Sequence, residues 1–270
     1  KINTHSNYPI IEVANAFSKP RIFNGINDEL QLIWSRSRQK GNSEIYLFSR
    51  DIKNDSNSSL SVIYESNSIH ILDWDASIYD NSYIILMVIC NENDEIFLEA
   101  RLISMKSKAT MKVAVHSLPH SFCKSSPVRA IFLSRSEAII LYKVVSMETG
   151  LESIIVKTWD FNNEFKDEGV LLEDEHIRDF QVARSASKLI VVWESRNEQS
   201  QEYDIGNITC KIGDYETCEK GLVNEVMKGN QIQPKVINDN DGSLIIVWTS
   251  VFPNGKRADI RLKKVFKSNE

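Results

Sequence analysis

LIIVWTS, residues 244–250, is an apolar run that ends in a polar turn, and four similar phrases precede it: LQLIWS at 30–35, IILMVIC at 84–90, AIILYKV at 138–144 and LIVVWES at 189–195. Between their centres (Leu32, Leu86, Ile140, Val191 and Ile246) the steps are 54, 54, 51 and 55 residues. A nearly constant period of this size, filled with strand-like segments, means repeated sheet modules set side by side. Around the quoted stretch the chain reads GLVNEVMKGN, QPKVINDNDG, SLIIVWTS, the turn VFPNGKR, then ADIRLKKVF. Extended segments separated by Asn, Asp, Gly and Pro predict a four-stranded antiparallel meander. Roughly 13 residues per strand and turn is the economy of a propeller blade.

The expected fold is therefore all-β, a five-bladed β-propeller of four-stranded antiparallel blades forming a single domain over residues 1–270. The blades fall at about 15–67, 68–122, 123–174, 175–228, and 229–270 completed by 8–14. The last repeat lacks one strand, and residues 10–14 are expected to supply it as the outer strand, closing the ring and removing its open edges. Trp34, Trp193 and Trp248 share one register of the second strand, with Tyr142 and Val88 at the equivalent places. Large flat side chains there are expected to fill the wedge between adjacent twisted sheets. An acidic residue opens each third strand (Glu44, Glu95, Glu152, Asp204 and Asp259), and these are expected to cap the turn from the second strand.

Composition narrows the function. An apolar fraction of 42% is ample for a core, and no apolar run approaches the roughly 20 residues of a membrane span. A net charge of −5 argues against nucleic acid, which asks for a basic surplus. The chain opens at Lys1, as expected of a processed protein or a fragment of a longer one. There is no phosphate-binding loop of the G-x-x-x-x-G-K type, no G-x-S-x-G elbow and no motif for a cofactor.

The run P-K-V…D-G-S-L-I-I-V-W-T-S…A-D-I-R between Pro234 and Arg261 resembles the propeller repeats of TolB-like proteins. It is equally similar to the W-x-S…D-I-Y repeats of large secreted bacterial and protist proteins. The likeness is clean in repeats one, four and five; repeats two and three lack the Trp and the Asp-Gly turn. The resemblance implies a binding scaffold, typically extracytoplasmic, and specifies a blade without specifying a ligand.

Four cysteines bear on the compartment: Cys90, Cys123, Cys210 and Cys218. The last two flank KIGDYET, read as the turn between a third strand and an outer strand. Cys90 and Cys123 lie in loops expected on one face. Bridges Cys210–Cys218 and Cys90–Cys123 are one of three connectivities. They point to an extracytoplasmic or secreted protein; the alternative is a cytoplasmic one with four buried thiols. Asn54, Asn57 and Asn207 stand in N-x-S/T sequons, no more than this composition yields by chance, and are expected at the surface.

Three patterns could carry chemistry. His116, His120 and Cys123 have a zinc-like spacing on a helix, but Pro119 and the strand-to-loop context remove its meaning, so no metal site is expected. Asp239 to Gly242 reads as a tight turn and not a calcium loop. The inner strands offer Asp73, Asp75 and Asp179 beside Arg21, Arg129, Arg178 and Lys235. Paired carboxylates facing the channel of a five-bladed propeller would serve a glycoside hydrolase. The arginines are expected to hold these carboxylates ionised, and no Glu is available as acid.

The binding alternative rests on charge. Arg36, Arg38 and Lys40, then Arg196, then Lys256 and Arg257 occupy turns of blades one, four and five, which a closed ring makes consecutive. Glu164, Asp167 and Glu168 fall on the opposite face. A polarised surface of this kind steers an acidic partner. The sequence thus favours a non-catalytic scaffold that binds a protein or an anionic glycan through one face, within a larger surface or secreted assembly. The alternative is a propeller glycoside hydrolase using Asp73 or Asp75 with Asp179. A deep pocket with two carboxylates about 5–10 Å apart favours the enzyme; a channel plugged by Arg–Asp pairs favours the scaffold.

Overall fold

A computed structural model describes residues 20–24, 29–37, 43–51, 58–79, 82–107, 109–118, 127–134, 136–146, 148–160, 165–174, 176–196, 200–225, 228–238, 243–253, 255 and 257–265. These form five antiparallel sheets whose strands follow one another in chain order. Sheet one holds β1 (Arg21–Asn24), β2 (Glu29–Ser37), β3 (Ser43–Asp51) and β4 (Ser58–Ser66). Sheet two holds β5 (His70–Tyr79), β6 (Ser82–Cys90), β7 (Ile96–Ser104) and β8 (Thr110–Ser117). Sheet three holds β9 (Val128–Phe132), β10 (Glu137–Val145), β11 (Glu152–Asp160) and β12 (Phe165–Asp174). Sheet four holds β13 (Ile177–Ser185), β14 (Lys188–Arg196), β15 (Tyr203–Lys211) and β16 (Asp214–Leu222). Sheet five holds β17 (Asn230–Asn238), β18 (Leu244–Val251) and β19 (Ala258–Val265). The expected closing strand at residues 10–14 and the turn from Asp239 to Gly242 lie outside the described residues.

The repeated apolar phrase is the second strand of every sheet. In β6 eight successive residues are buried, because side chains alternate between two covered faces. Tyr83, Ile85, Met87 and Ile89 pack towards sheet one, whereas Ile84, Leu86 and Val88 pack towards sheet three. Strand β10 divides in the same way: Ile140 and Tyr142 face sheet two, Ile139 and Leu141 face sheet four. In β14, Leu189, Val191 and Trp193 join sheet three, and Ile190 and Val192 join sheet five. Strand β18 shows strict alternation, its buried Leu244, Ile246 and Trp248 facing sheet four. Four cores thus lie between successive sheets, one per interface from the first sheet to the fifth.

The aromatic register is buried as expected, with Trp34, Trp193 and Trp248 all under a tenth exposed. One detail differs. Tyr142, Trp193 and Trp248 each face the preceding sheet, whereas Val88 faces the following one. Met87 and Ile89 fill the equivalent place in sheet two. A one-residue offset reverses every side chain of a strand, so the two apolar faces of β6 hide which residue matches the tryptophans. Trp34 lies on the face of β2 opposite Ile33 and stacks on its cross-strand neighbour Tyr46 at 5.3 Å.

Two boundaries are corrected. The outer strand of sheet four begins at Asp214, not at Cys218, and the hairpin turns on Ile212 and Gly213 alone. Gly213 supplies φ +85° to that two-residue turn. The segment GLVNEV is therefore mostly past the strand instead of being the strand. Asn207 is half-buried in the middle of β15 rather than at an open loop; Asn54 and Asn57 lie outside the described residues.

Candidate functional site

The first strands β1, β5, β9, β13 and β17 all contribute side chains to one cavity of about 560 Å³. Its wall includes Arg21, Asp75, Arg129, Gln181 and Arg184, with Phe23, Ile78, Phe132 and Val236 as apolar patches. Convergence of five non-adjacent segments on one space follows from the sheets standing with their first strands inward.

At the start of these strands the carboxylates meet the arginines. Arg129 Nη2 donates to Asp179 Oδ1 at 3.0 Å, and its Nη1 lies 4.0 Å from Asp73 Oδ2. The Arg129 side chain is only 4% exposed, so this guanidinium is a buried bridge between β5, β9 and β13. Both carboxyl groups lie within 4.0 Å of nitrogens of one guanidinium, which bounds their separation at roughly 10 Å. Asp73 Oδ2 also accepts the Val128 N–H at 2.7 Å, which leaves Oδ1 for other partners. Asp75 is more enclosed: it accepts Ala130 N–H at 3.1 Å and pairs with Arg21 at 2.9 Å.

The arginines were expected to keep these carboxylates ionised. For Asp73 burial works against the arginines. Burial pushes its carboxyl above the ordinary carboxylate range, and the nearby Asp75 charge adds to the rise. The opposing pull of Arg129 and of the Val128 and Trp74 N–H groups is the weaker effect, the nearest guanidinium nitrogen being 4.0 Å away.

Other acids act between sheets. Glu194 on β14 accepts Gln233 N–H of β17 at 2.6 Å. Glu152 accepts both Lys143 Nζ at 2.6 Å and the Ile177 N–H of the next sheet. Glu152 therefore reaches beyond its own hairpin to the N–H that opens β13. Glu44 takes the Tyr46 hydroxyl at 2.6 Å, and Asp204 takes the Asn224 amide at 2.9 Å. Asp259 pairs with Arg257 and Arg261, and Glu95 keeps the expected role, held by Asn91 across its turn.

Of the expected basic cluster, Arg36, Arg196 and Arg257 are described; Arg38, Lys40 and Lys256 are not. Arg36 is next to last in β2, Arg196 ends β14, and Arg257 precedes β19. Arg257 is engaged by Asp259 at 3.1 Å and lies over the Phe252 ring. Arg178 is exposed and lies over the Tyr203 ring, and neither it nor Lys235 lines the cavity. Gln181 and Arg184, which do, had no signal in the sequence: a strand residue's facing depends on how the sheets are set.

Cys210 and Cys218 form the expected disulfide. Cys90 is buried, with Sγ 3.6 Å from the Asn91 carbonyl oxygen; Cys123 lies outside the described residues, and its expected bridge with it. No group of metal-ligating side chains occurs among the described residues.

The solved structures similar to this chain are β-propellers. The endo-arabinase of Bacteroides thetaiotaomicron superimposes with a TM-score of 0.59 at 13% identity, covering 95% of this chain and 96% of that one. Sucrose-6-phosphate hydrolase of Lactobacillus gasseri gives 0.50 at 10% identity, with 93% and 59% covered. A Synechocystis apocarotenoid oxygenase mutant gives 0.53 at 10% identity, with 90% and 58% covered. No protein-family model matches the chain, and no curated protein does. At these identities the likeness defines the class, an all-β propeller-type repeat protein of five described sheets.

The comparisons also correct the functional expectation. Glycoside hydrolases recur among the similar structures, so the non-catalytic scaffold does not stand as the leading reading. A channel plugged by Arg–Asp pairs is the structural sign that favours the scaffold. The pairs are there, but they edge an open cavity of about 560 Å³ instead of filling it.

Proposed function

We propose that the chain is a glycoside hydrolase whose catalytic carboxyls are Asp73 and Asp179. The observation that carries this reading is the convergence of both on Arg129, itself a residue of the cavity wall. Asp73, its carboxyl raised by burial, is the general acid that protonates the departing glycosidic oxygen. Asp179, ion-paired at 3.0 Å, is the carboxylate that meets the other face of the sugar, as base or nucleophile. Asp75 and Arg21 position the acid's strand from below. The structural likeness to an endo-arabinase of almost the same length supports the assignment.

The same reading takes the chain as one propeller over residues 1–270, closed by residues 8–14. The Cys210–Cys218 bridge supports a location outside the cytoplasm. The test is release of reducing ends from a panel of arabinan, xyloglucan and fructan substrates. Asp73→Asn and Asp179→Asn are each expected to cut kcat by about 10²–10⁴-fold with folding intact. Equal turnover in either variant would refute the assignment.

A further inference from the structure

Arg129 is held at one end by its own neighbour. Its Nη1 donates to the Val128 carbonyl oxygen at 2.6 Å, and its guanidinium lies over the buried Phe180 ring at 5.5 Å. With that anchor in place, Nη2 donates to Asp179 Oδ1 at 3.0 Å. Asp73 Oδ2 accepts the N–H of the same Val128 at 2.7 Å and stays 4.0 Å from Nη1, beyond hydrogen-bond reach. One carboxyl thus receives a charge-assisted bond, and the other only the field of the same cation.

Exposure separates the arginine from the chemistry. The Asp73 side chain is 33% exposed and that of Asp179 17%, against 4% for Arg129. A bound sugar can meet the two carboxyls, while the guanidinium that joins them has almost no surface to offer. The charges that act on Asp73 are Asp75 of its own strand, itself paired with Arg21 of β1, and Arg129 of β9. Strand β6 beside it carries no charged side chain, β2 contributes Ile33 to the core it shares with β5, and Asp179 of β13 is met through Arg129. Burial and Asp75 raise the Asp73 carboxyl, and Arg129 is the charge that pulls it back.

We infer that Arg129 is the positioning residue of the Asp73–Asp179 pair, its Val128 anchor and Nη2 bond holding the two carboxyls in unequal surroundings so that they take different roles. Its part in turnover rests on the glycosidase reading; its hold on the pair does not.

The test compares the full chain with Arg129→Gln and Arg129→Lys. NMR titration of the aspartate carboxyls, with Asp73→Asn assigning the signal, follows Asp73 against pH without any substrate. The Asp73 titration is expected to move to higher pH in Arg129→Gln and back toward the parent's in Arg129→Lys, which restores the charge. On whichever of arabinan, xyloglucan and fructan the parent hydrolyses, Arg129→Gln is expected to lose about 10²-fold in turnover and to shift the basic limb of its pH profile upward. Arg129→Lys is expected to recover the limb but not the turnover, since one ammonium cannot keep the fixed fork that orients Asp179. Full turnover in Arg129→Lys would show that charge alone suffices, and would overturn the positioning role. An arginine that merely braced the sheets would lower the melting temperature and leave the titration and the limb in place. If Arg129→Gln fails to fold, Asp179→Asn carries the test: losing that carboxylate leaves the guanidinium's charge to Asp73, whose titration then moves to lower pH. An unmoved Asp73 titration in the variant used overturns the inference, whether or not the chain hydrolyses a glycan. A shifted titration in a chain without turnover sinks the glycosidase and leaves the hold on the pair standing.

Discussion

Asp73 shows how one side chain's surroundings set its chemistry. Its folded carboxyl titrates above the ordinary 3.8 because burial outweighs the guanidinium 4.0 Å away. Between 3.8 and that raised value the folded chain holds a proton that the unfolded chain has released. Stability contributed by this group is therefore present below the ordinary value and falls as pH rises across the window. Urea denaturation of the parent and Asp73→Asn at stepped pH reads the effect: the variant is expected to lose that slope and to gain relative stability at neutral pH. Asparagine keeps an oxygen for the Val128 N–H, so the comparison isolates the charge. Gly206 is the second informative residue. It lies opposite Trp193 in the register of β14 and β15, and a Cβ there would run into the indole. Gly206→Ala is expected to cost about 1–3 kcal/mol in denaturant titrations, the usual penalty of overpacking.

Among the elements, the β15–β16 hairpin stands apart. Strand β16 is largely exposed, and Leu222 near its end is 52% exposed, so little apolar burial holds it. The disulfide ties it down: Cys210 and Cys218 join the two strands across eight residues of sequence, beside a register shift. By loop entropy, closing a loop of this length contributes about 2–3 kcal/mol. Mild reduction is expected to lower the melting temperature and to speed hydrogen exchange in β16 before the other strands. Uniform loss of protection across sheet four would show that the hairpin needs no staple. Second strands behave oppositely: β6, β10 and β14 are covered on both faces and are expected to exchange last.

At the scale of the molecule, sheets are joined by packed apolar faces and by polar clamps near the first strands. Asp73, Asp75, Glu152 and Glu194 each accept a backbone N–H from the sheet that follows. Arg129 belongs to two of these junctions at once. Arg129→Met keeps the length of the side chain but leaves the Asp179 carboxylate, 17% exposed, without its cation. Breaking one partner of a buried pair costs roughly 3–5 kcal/mol, so the whole chain is expected to melt earlier in a single transition. Two separate transitions would mean that the sheets unfold as independent blocks.

The period of about 54 residues, the apolar second strands and the Asn, Asp, Gly and Pro turns were enough to place nearly every described strand, because strand pairing between chain neighbours is a local matter. The Cys210–Cys218 bridge was legible for the same reason, even though the turn inside it was drawn too long. Which face of β6 matches the tryptophans was not legible, since two apolar faces carry no contrast. Nor could the sequence set the role of Asp73. Its chemistry depends on burial, on Val128 and on Arg129, which are 55 and 56 positions away and reach it only when sheets two and three pack. Sequence by itself determined the sheets and the residues that hold them together; only the tertiary structure decided which charges share a cavity, because that depends on side chains from separate strands arriving at one place.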